Sequence, residues 1–184
     1  MLPKLRDIIA SLDACNGRVD LPKLKELMSR AQITRADIKP FCVFGQDGYR
    51  RNMVSRSDWY ELLVLCWRHG QRSPVHDHFG SSCVFKIIEG EVSEIKGLPT
   101  GKERNKIKLV KAGPVTAYAQ GSICASTSSD IHEVANLSPD GSDLITLHVY
   151  SPPLHMNIYE FEQEPLAAAA RQEPGIGAEQ NPIS

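Results

Sequence analysis

The chain has 184 residues, of which 41% are hydrophobic and 23% charged, and its formal net charge at pH 7 is −1. That length is enough for one hydrophobic core and short for two. The near-zero charge gives no electrostatic basis for binding nucleic acid or an anionic membrane, and no apolar run is long enough to cross a bilayer. We expect a single soluble domain without nucleic-acid or membrane partners.

The cysteines indicate a reducing compartment. They are odd in number, scattered along the chain and never spaced as Cys-x-x-Cys, which is not the pattern of a disulfide scaffold. The first residues are charged where a secretory signal would need an apolar run. We therefore expect a cytoplasmic protein. We also expect a monomer. The five cysteines are Cys15, Cys42, Cys66, Cys83 and Cys124.

Residues 1–40 are predicted to be helical. Apolar side chains recur at helical spacing from Leu5 to Leu12 and again from Leu24 to Met28. The segment Thr34 to Asp37 has the composition of a third helix start. We expect these helices to pack on a sheet formed by the rest of the chain.

Residues 41–164 change to short β-rich runs separated by Gly, Pro, Asn and Asp. This spacing predicts an all-β sandwich or barrel. Residues 165–184 include a run of four consecutive alanines and a polar end without apolar periodicity, so we predict a flexible tail. The clearest strand candidates are Leu62 to Trp67, Val84 to Ile88, Ile107 to Val110 and Leu144 to Tyr150.

The last of these strands has two different faces. Alternation places Ile145, Leu147 and Val149 on one side and Thr146, His148 and Tyr150 on the other. The second face meets either water or a polar cavity, and a histidine beside a tyrosine can orient the phenol by donating or accepting a hydrogen bond. A half-exposed strand with aromatic filler fits the same pattern.

The most informative segment of the chain is Gly70 to Gly90, which contains a His-x-His pair. On an extended backbone His76 and His78 leave the same face, so two imidazoles can reach one metal ion. About fifty residues later a second segment runs from Gly121 to His132 and Asn136.

Together the two segments resemble the paired motifs of the cupin superfamily. The first motif keeps every spacing, but Cys83 stands where an acid is usual. The second keeps its glycine, histidine and asparagine, whereas Thr127 and Ser129 replace the usual proline and inner glycine. Two spaced motifs in the right order are harder to obtain by chance than either one. The resemblance implies a mainly β fold, a cupin jelly-roll barrel with a small helical segment at its N-terminal end.

Within that superfamily, residues 40 to 155 resemble the cysteine dioxygenase family. The resemblance extends from Cys66-Trp67, through the two motifs, to the stretch Leu147 to Pro153. It implies that His76, His78 and His132 bind a ferrous ion.

The resemblance also implies roles for five other residues. Arg51 would pair with the substrate carboxylate, with Tyr49 on the same strand face. Cys83 and Tyr150 would be catalytic and able to join in a thioether bond, and His148 would act beside Tyr150.

The implied reaction is oxidation of the thiol of L-cysteine by O₂ to 3-sulfinoalanine. Three neutral imidazoles leave Fe(II) its full charge, so a substrate thiolate can supply the missing anion. The planar fork of Arg51 suits a carboxylate because it can donate two parallel hydrogen bonds.

Several alternatives stay open for individual residues. Cys83 alone is as well explained as a small buried hydrophobe, and three histidines plus Cys83 would close a structural zinc site. Arg50 competes with Arg51, because alternation turns only one of them inward. Trp67 fits either a pocket wall or the core. His69 and His155 have no partner at a useful spacing, and we expect neither to be a ligand.

Two other functions compete with cysteine oxidation. A thiol dioxygenase acting on 3-mercaptopropionate typically has Gln where this chain has Arg51, so the arginine favours cysteine. A non-catalytic cupin that binds a ligand or a structural metal has no need for an open redox-metal site beside His148 and Tyr150.

The sequence departs from the family pattern at two positions. Thr146 replaces a serine and keeps the hydroxyl, and Asn157 lies near the position where a second cysteine is usual.

Overall fold

The computed structural model describes residues 3–163 and 169–172. Three helices precede the strands, and none of the helices in these ranges is long and apolar enough to cross a membrane. The helices are α1 (Pro3–Asp13), α2 (Leu21–Arg30) and α3 (Arg35–Ile38), followed by a 3₁₀ turn at Lys39–Phe41. The strands are β1 (Arg50–Arg56), β2 (Glu61–Trp67), β3 (Val75–His76), β4 (Ser82–Glu89), β5 (Val92–Arg104), β6 (Ile107–Tyr118), β7 (Ile123–Ser126), β8 (His132–Ala135), β9 (Leu144–Ser151), β10 (Ile158–Phe161) and β11 (Ala169–Gln172).

The strands form two sheets. One has the order β1-β2-β9-β4-β7, and the other has the order β10-β3-β8-β5-β6-β11. Neighbours in these orders pair antiparallel, except that β11 runs parallel to β6. β10 pairs antiparallel with β3 and also runs parallel to β6. Side chains from both sheets line one cavity between them. The predicted mainly β cupin barrel with an N-terminal helical segment is confirmed.

The central strands of the five-stranded sheet, β2, β9 and β4, are buried on both faces. Its outer face packs against the helices, with Leu62 and Leu147 in one cluster with Leu5 and Leu24. Its inner face contributes Leu65 and other side chains to the core of the barrel. Burial on both sides explains why β2 is a continuous apolar run rather than an alternating one. The helices thus pack on the outer face of this sheet.

Polar contacts fix the helices to this sheet. Asp20 caps α2 by accepting a hydrogen bond from the backbone N–H of Lys23 at 2.9 Å. At the other end of α2, the Lys86 ammonium donates to the carbonyl of Ala31 at 2.7 Å. The buried Tyr60 hydroxyl donates to Asp13 at 2.6 Å, which holds α1 against the β1–β2 hairpin. The position of the sheet relative to the helices is therefore set by side chains as well as by apolar burial.

The four predicted strands are all present, and two elements extend beyond the sequence pattern. β6 continues from Val110 to Tyr118, and β5 was not predicted, because its outer half is exposed and interrupted by Gly97 and Pro99. A side chain at Gly97 would meet the Ile131 side chain at 2.8 Å, so close packing explains that glycine. In the predicted flexible tail, residues 169–172 form a strand along β6, and the other residues of 165–184 lie outside the described ranges.

Candidate active site and metal centre

A cavity that opens to solvent lies between the two sheets. Its wall brings together all eight side chains that the sequence singled out for a site, although they come from residues a hundred positions apart. Arg50 is exposed, and so are His69 and His155. The eight residues are Tyr49, Arg51, His76, His78, Cys83, His132, His148 and Tyr150.

Three buried histidines form one group in this cavity. His76 ends the short strand β3, His78 lies just after it, and His132 begins β8 directly opposite His76. One ring nitrogen from each lies within 4.8 Å of the others. Over the described part of the chain no cysteine, aspartate or glutamate completes this group as a fourth ligand. Three converging nitrogens with a free coordination position are typical of a catalytic rather than a structural metal site.

The second nitrogen of each ring has its own partner. Nδ1 of His76 lies 2.9 Å from the Pro74 carbonyl, Nδ1 of His78 lies 3.3 Å from the Thr127 carbonyl, and Nδ1 of His132 lies 2.6 Å from Glu94. A neutral imidazole that donates through Nδ1 presents the Nε2 lone pair. Such partners are those that orient metal-binding histidines. The donor set therefore fits a divalent transition metal.

The electrostatics also keep two of these rings neutral. Burial, reinforced by the neighbouring imidazoles, lowers the pKa of His76 to about 3 and that of His78 to about 4. Protonated rings cannot ligate a metal. Near neutral pH both side chains are therefore in the form that a metal requires.

Thr127 and Ser129, which depart from the second cupin motif, lie in a turn beside His78. Asp130 accepts hydrogen bonds from the Thr127 backbone N–H at 2.6 Å and from its hydroxyl at 3.0 Å. This turn holds the Thr127 carbonyl against Nδ1 of His78. The replacement of the usual proline and glycine by Thr127 and Ser129 thus leaves the histidine with a backbone acceptor.

Asp77, between the two histidines, anchors their turn. One oxygen accepts from the backbone N–H of Asn157 at 2.9 Å and from that of Phe79 at 3.2 Å. The other accepts from the Asn157 amide and from the Tyr159 hydroxyl, each at 2.8 Å. Asn157, the position where the family resemblance predicted a difference, is therefore part of the support of the metal-binding turn.

Glu94 is a residue of the site that the sequence analysis missed. It lies in β5, and its side chain is only 8% exposed beside His132. Burial raises the pKa of this carboxyl, but the hydrogen bond and charge interaction with His132 outweigh that effect, and the net pKa is lowered. The only sequence signal was an acid between the apolar residues Val92 and Ile95, and nothing in the sequence pairs it with a histidine on another strand.

Arg51 occupies the opposite side of the cavity. Its Nη2 donates to Glu61 at 3.0 Å, and its guanidinium lies over the Tyr150 ring at 5.4 Å. Burial lowers the pKa of Arg51, but the interactions with Tyr150, Tyr49 and Glu61 raise it overall, so the group stays cationic. Tyr49 stacks on Trp67 with ring centres 4.0 Å apart, and both lie in the wall. The inward residue of the Arg50–Arg51 pair is Arg51.

Four side chains form a hydrogen-bonded row. Trp67 Nε1 can only donate, and it donates to the Thr146 hydroxyl at 3.1 Å. The same hydroxyl lies 2.9 Å from Nε2 of His148, and Nδ1 of that ring lies 3.0 Å from the Tyr150 oxygen. Burial lowers the pKa of His148, so the ring is neutral, and one of its nitrogens donates while the other accepts. The row therefore joins the Tyr150 phenol to Trp67 through two buried side chains.

Cys83 is the immediate neighbour of Tyr150. The two residues lie directly opposite each other on β4 and β9. Burial raises the pKa of both groups, so both are neutral. Cys83 is not a member of the three-histidine group, and a closed site of three histidines and one cysteine is therefore not what the structure presents.

Comparisons with known proteins agree with this geometry. The family model described as "Cysteine dioxygenase type I" matches residues 3–164. The chain is 29% identical over 153 residues to "Cysteine dioxygenase type 1" of Danio rerio, covering 81% of this chain and 75% of that protein. It is 27% identical over 152 residues to the Homo sapiens protein of the same name, covering 81% and 74%.

Solved structures support the fold alone. A conserved protein with a double-stranded β-helix domain from Klebsiella pneumoniae aligns with a TM-score of 0.55 at 18% identity, over 79% of this chain and 98% of that one. A protein from Thermus thermophilus aligns with a TM-score of 0.51 at 24% identity, over 64% and 95%. Because the family model spans nearly all the described residues, the chain belongs to the cysteine dioxygenase type I family, a family of oxygenase enzymes.

Proposed function

We propose that the protein is an iron(II)-dependent cysteine dioxygenase that oxidises the thiol of L-cysteine to 3-sulfinoalanine. One thiol and one O₂ molecule give one sulfinic acid, so no further reductant is needed. The observation that carries the proposal is a single cavity that contains three converging histidines on one side and Arg51 on the other. This arrangement suits a small molecule with a metal-binding group at one end and a carboxylate at the other.

His76, His78 and His132 are proposed to hold the metal through Nε2. Iron(II), when bound, supplies the redox chemistry that transfers both atoms of O₂ to sulfur. The imidazoles are neutral ligands, so the positive charge of the metal would be left for an anionic group of the substrate to balance. The hydrogen bonds to Pro74, Thr127 and Glu94 keep the rings in place when metal or substrate binds.

Arg51 is proposed to bind the substrate carboxylate. It uses one N–H for Glu61, and its remaining donors are available to the cavity. Tyr49 contributes an aromatic wall beside it. A charge-assisted pair in a cavity that is partly shielded from water is stronger than one in bulk water and fixes the orientation of the substrate.

Tyr150, His148 and Cys83 are proposed to act on the reacting end of the substrate. Nδ1 of His148 lies 3.0 Å from the Tyr150 oxygen, and a hydrogen bond between them would orient the phenol in the cavity. A thioether between the Cys83 sulfur and a Tyr150 ring carbon would form with loss of one hydrogen from each, with O₂ as the oxidant. Their direct opposition on β4 and β9 supports this cross-link. It would fix the phenol in one position.

The test is anaerobic reconstitution with iron(II), followed by O₂ uptake and product identification with L-cysteine and 3-mercaptopropionate in parallel. We expect 3-sulfinoalanine, with one O₂ consumed per cysteine, and loss of activity in His132→Ala. The matched control is His155→Ala, because His155 is an exposed histidine outside the cavity. Preferential oxidation of 3-mercaptopropionate would contradict the assignment of Arg51, and oxidation of neither thiol would support a non-catalytic cupin.

The cellular location and the oligomeric state stay predictions. The five cysteines are all free thiols, which supports the proposed cytoplasmic location. The monomeric state is checked by sedimentation velocity, and a concentration-dependent larger species would contradict it.

A further inference from the structure

Glu61 is a buried acid immediately outside the wall of the cavity. It begins β2, its side chain is 8% exposed, and it does not line the cavity, whereas Arg51 does. One of its oxygens, Oε1, accepts from Arg51 Nη2 at 3.0 Å and from the backbone N–H of Leu154 at 3.3 Å. A single carboxylate oxygen therefore joins the guanidinium to the segment that follows β9.

That segment is attached at its other end to the metal-binding turn. Three residues beyond Leu154, Asn157 donates through its backbone and its amide to Asp77 at 2.9 and 2.8 Å. Asp77 lies between His76 and His78. The contacts thus form a continuous path from the guanidinium, through Glu61 and residues 154–157, to the two histidines.

An arginine side chain has several rotatable bonds and would otherwise sample many positions across an open cavity. Glu61 holds one N–H of Arg51 from behind, which restricts the guanidinium and leaves its other donors for a ligand. The distance between the guanidinium and the three-histidine group is then fixed by the contacts of Glu61 and residues 154–157, and not only by the conformation of the arginine side chain. A ligand that binds at both ends must match that separation.

We propose that Glu61 is a positioning residue that makes the enzyme select thiol carboxylates by the number of carbon atoms between sulfur and carboxylate. The inference rests on the proposed function, because it assumes that sulfur binds at the histidines and the carboxylate at Arg51. Rigid sites distinguish ligands that differ by one methylene by about 10-fold or more. A guanidinium that was free to move could adjust its position to ligands of different length, and most of the discrimination between them would be lost.

The experiment measures binding, so that it does not depend on turnover. Protein reconstituted with zinc(II), which is redox-inert, is titrated anaerobically by calorimetry with 2-mercaptoacetate, 3-mercaptopropionate and 4-mercaptobutyrate. We expect the wild type to bind 3-mercaptopropionate, which has the sulfur-to-carboxylate spacing of cysteine, about 10-fold more tightly than the other two. In Glu61→Leu we expect the three dissociation constants to lie within about threefold of one another.

Two further variants separate positioning from charge. Glu61→Gln keeps an oxygen that can accept from Arg51 and Leu154, and we expect it to retain the length preference. Glu89→Leu removes an acid that pairs with Arg35 at 2.6 Å on the surface, and this matched control should leave the preference unchanged. If Glu61→Leu does not fold, Glu61→Ser removes the same acceptor while leaving room for water beside the guanidinium.

The outcomes for this inference and for the proposed function are distinguishable. A wild type without length preference, or a preference unchanged in Glu61→Leu and Glu61→Ser, would overturn the role of Glu61 even if cysteine is oxidised. Equal loss in Glu61→Gln would overturn positioning by hydrogen bonding. A preference that disappears only in the Leu or Ser variant would support the inference even if the iron-loaded protein oxidises no thiol.

Discussion

Glu94→Gln is expected to weaken metal binding although it replaces none of the proposed metal ligands. Glu94 accepts a 2.6 Å hydrogen bond from Nδ1 of His132, and the two side chains are 8% and 3% exposed. Glutamine has nearly the same shape but no charge. The substitution therefore tests the electrostatic support of His132 while leaving the packing of β5 against β8 almost unchanged.

The magnitude follows from the burial of this pair. A hydrogen bond to a charged group contributes about 1.5 to 3 kcal/mol to a buried site. Because about 1.4 kcal/mol corresponds to a factor of ten in an equilibrium constant, metal affinity should fall by roughly 10- to 100-fold. Loss of His132 itself, in His132→Ala, should cost more, because it removes a ligand as well as its orientation.

The assay is competition for zinc(II) against a chromophoric chelator, compared with unfolding in urea to separate metal affinity from stability. Glu133→Gln is the matched control, since Glu133 is the next residue of β8 and pairs with Arg72 at 2.7 Å. Metal affinity of Glu94→Gln within about threefold of the wild type would refute the reasoning, as would an equal loss in Glu133→Gln.

Three further predictions concern the hydrogen-bonded row from Trp67 to Tyr150, the stability of the metal-free protein at acid pH, and the turn that carries His76 and His78. Thr146→Val removes the hydroxyl between Trp67 and His148, so turnover should fall about 10-fold or more, whereas Thr146→Ser retains the hydroxyl and should retain the turnover. Equal rates of the two variants in steady-state assays would contradict a role of this hydrogen-bonded row in turnover. The metal-free protein should lose stability as pH falls from about 6.5 towards 4. The unfolded chain protonates His76 and His78 in that range, whereas the folded pKa values are about 3 and 4, so the loss is about 1.4 kcal/mol per histidine per pH unit. Urea unfolding at each pH checks this, and a flat profile would contradict it. Asp77→Asn replaces one of two oxygens that accept four hydrogen bonds, so urea unfolding should show a loss of about 2 kcal/mol; a loss below about 0.5 kcal/mol would show that the turn does not depend on it.

The chain itself determined the fold class and the members of the candidate site. Alternation along β9 and the spacing around His76 and His78 are local patterns, set by which side chains share a strand face. Burial on two faces made β2 a continuous apolar run, which identified it as a strand. These patterns indicated His76, His78, His148 and Tyr150, whereas Tyr49, Arg51, Cys83 and His132 were assigned through the resemblance to known motifs.

The tertiary structure decided everything that depends on contacts between distant strands. Glu94 meets His132, and Glu61 meets both Arg51 and Leu154, only because the sheets bring these strands into register. The row of hydrogen bonds that ends at His148 and Tyr150 likewise begins at Trp67 on the neighbouring strand. Periodicity reports which face a residue occupies, whereas the partner across the barrel depends on register and closure, and no local pattern contains that information.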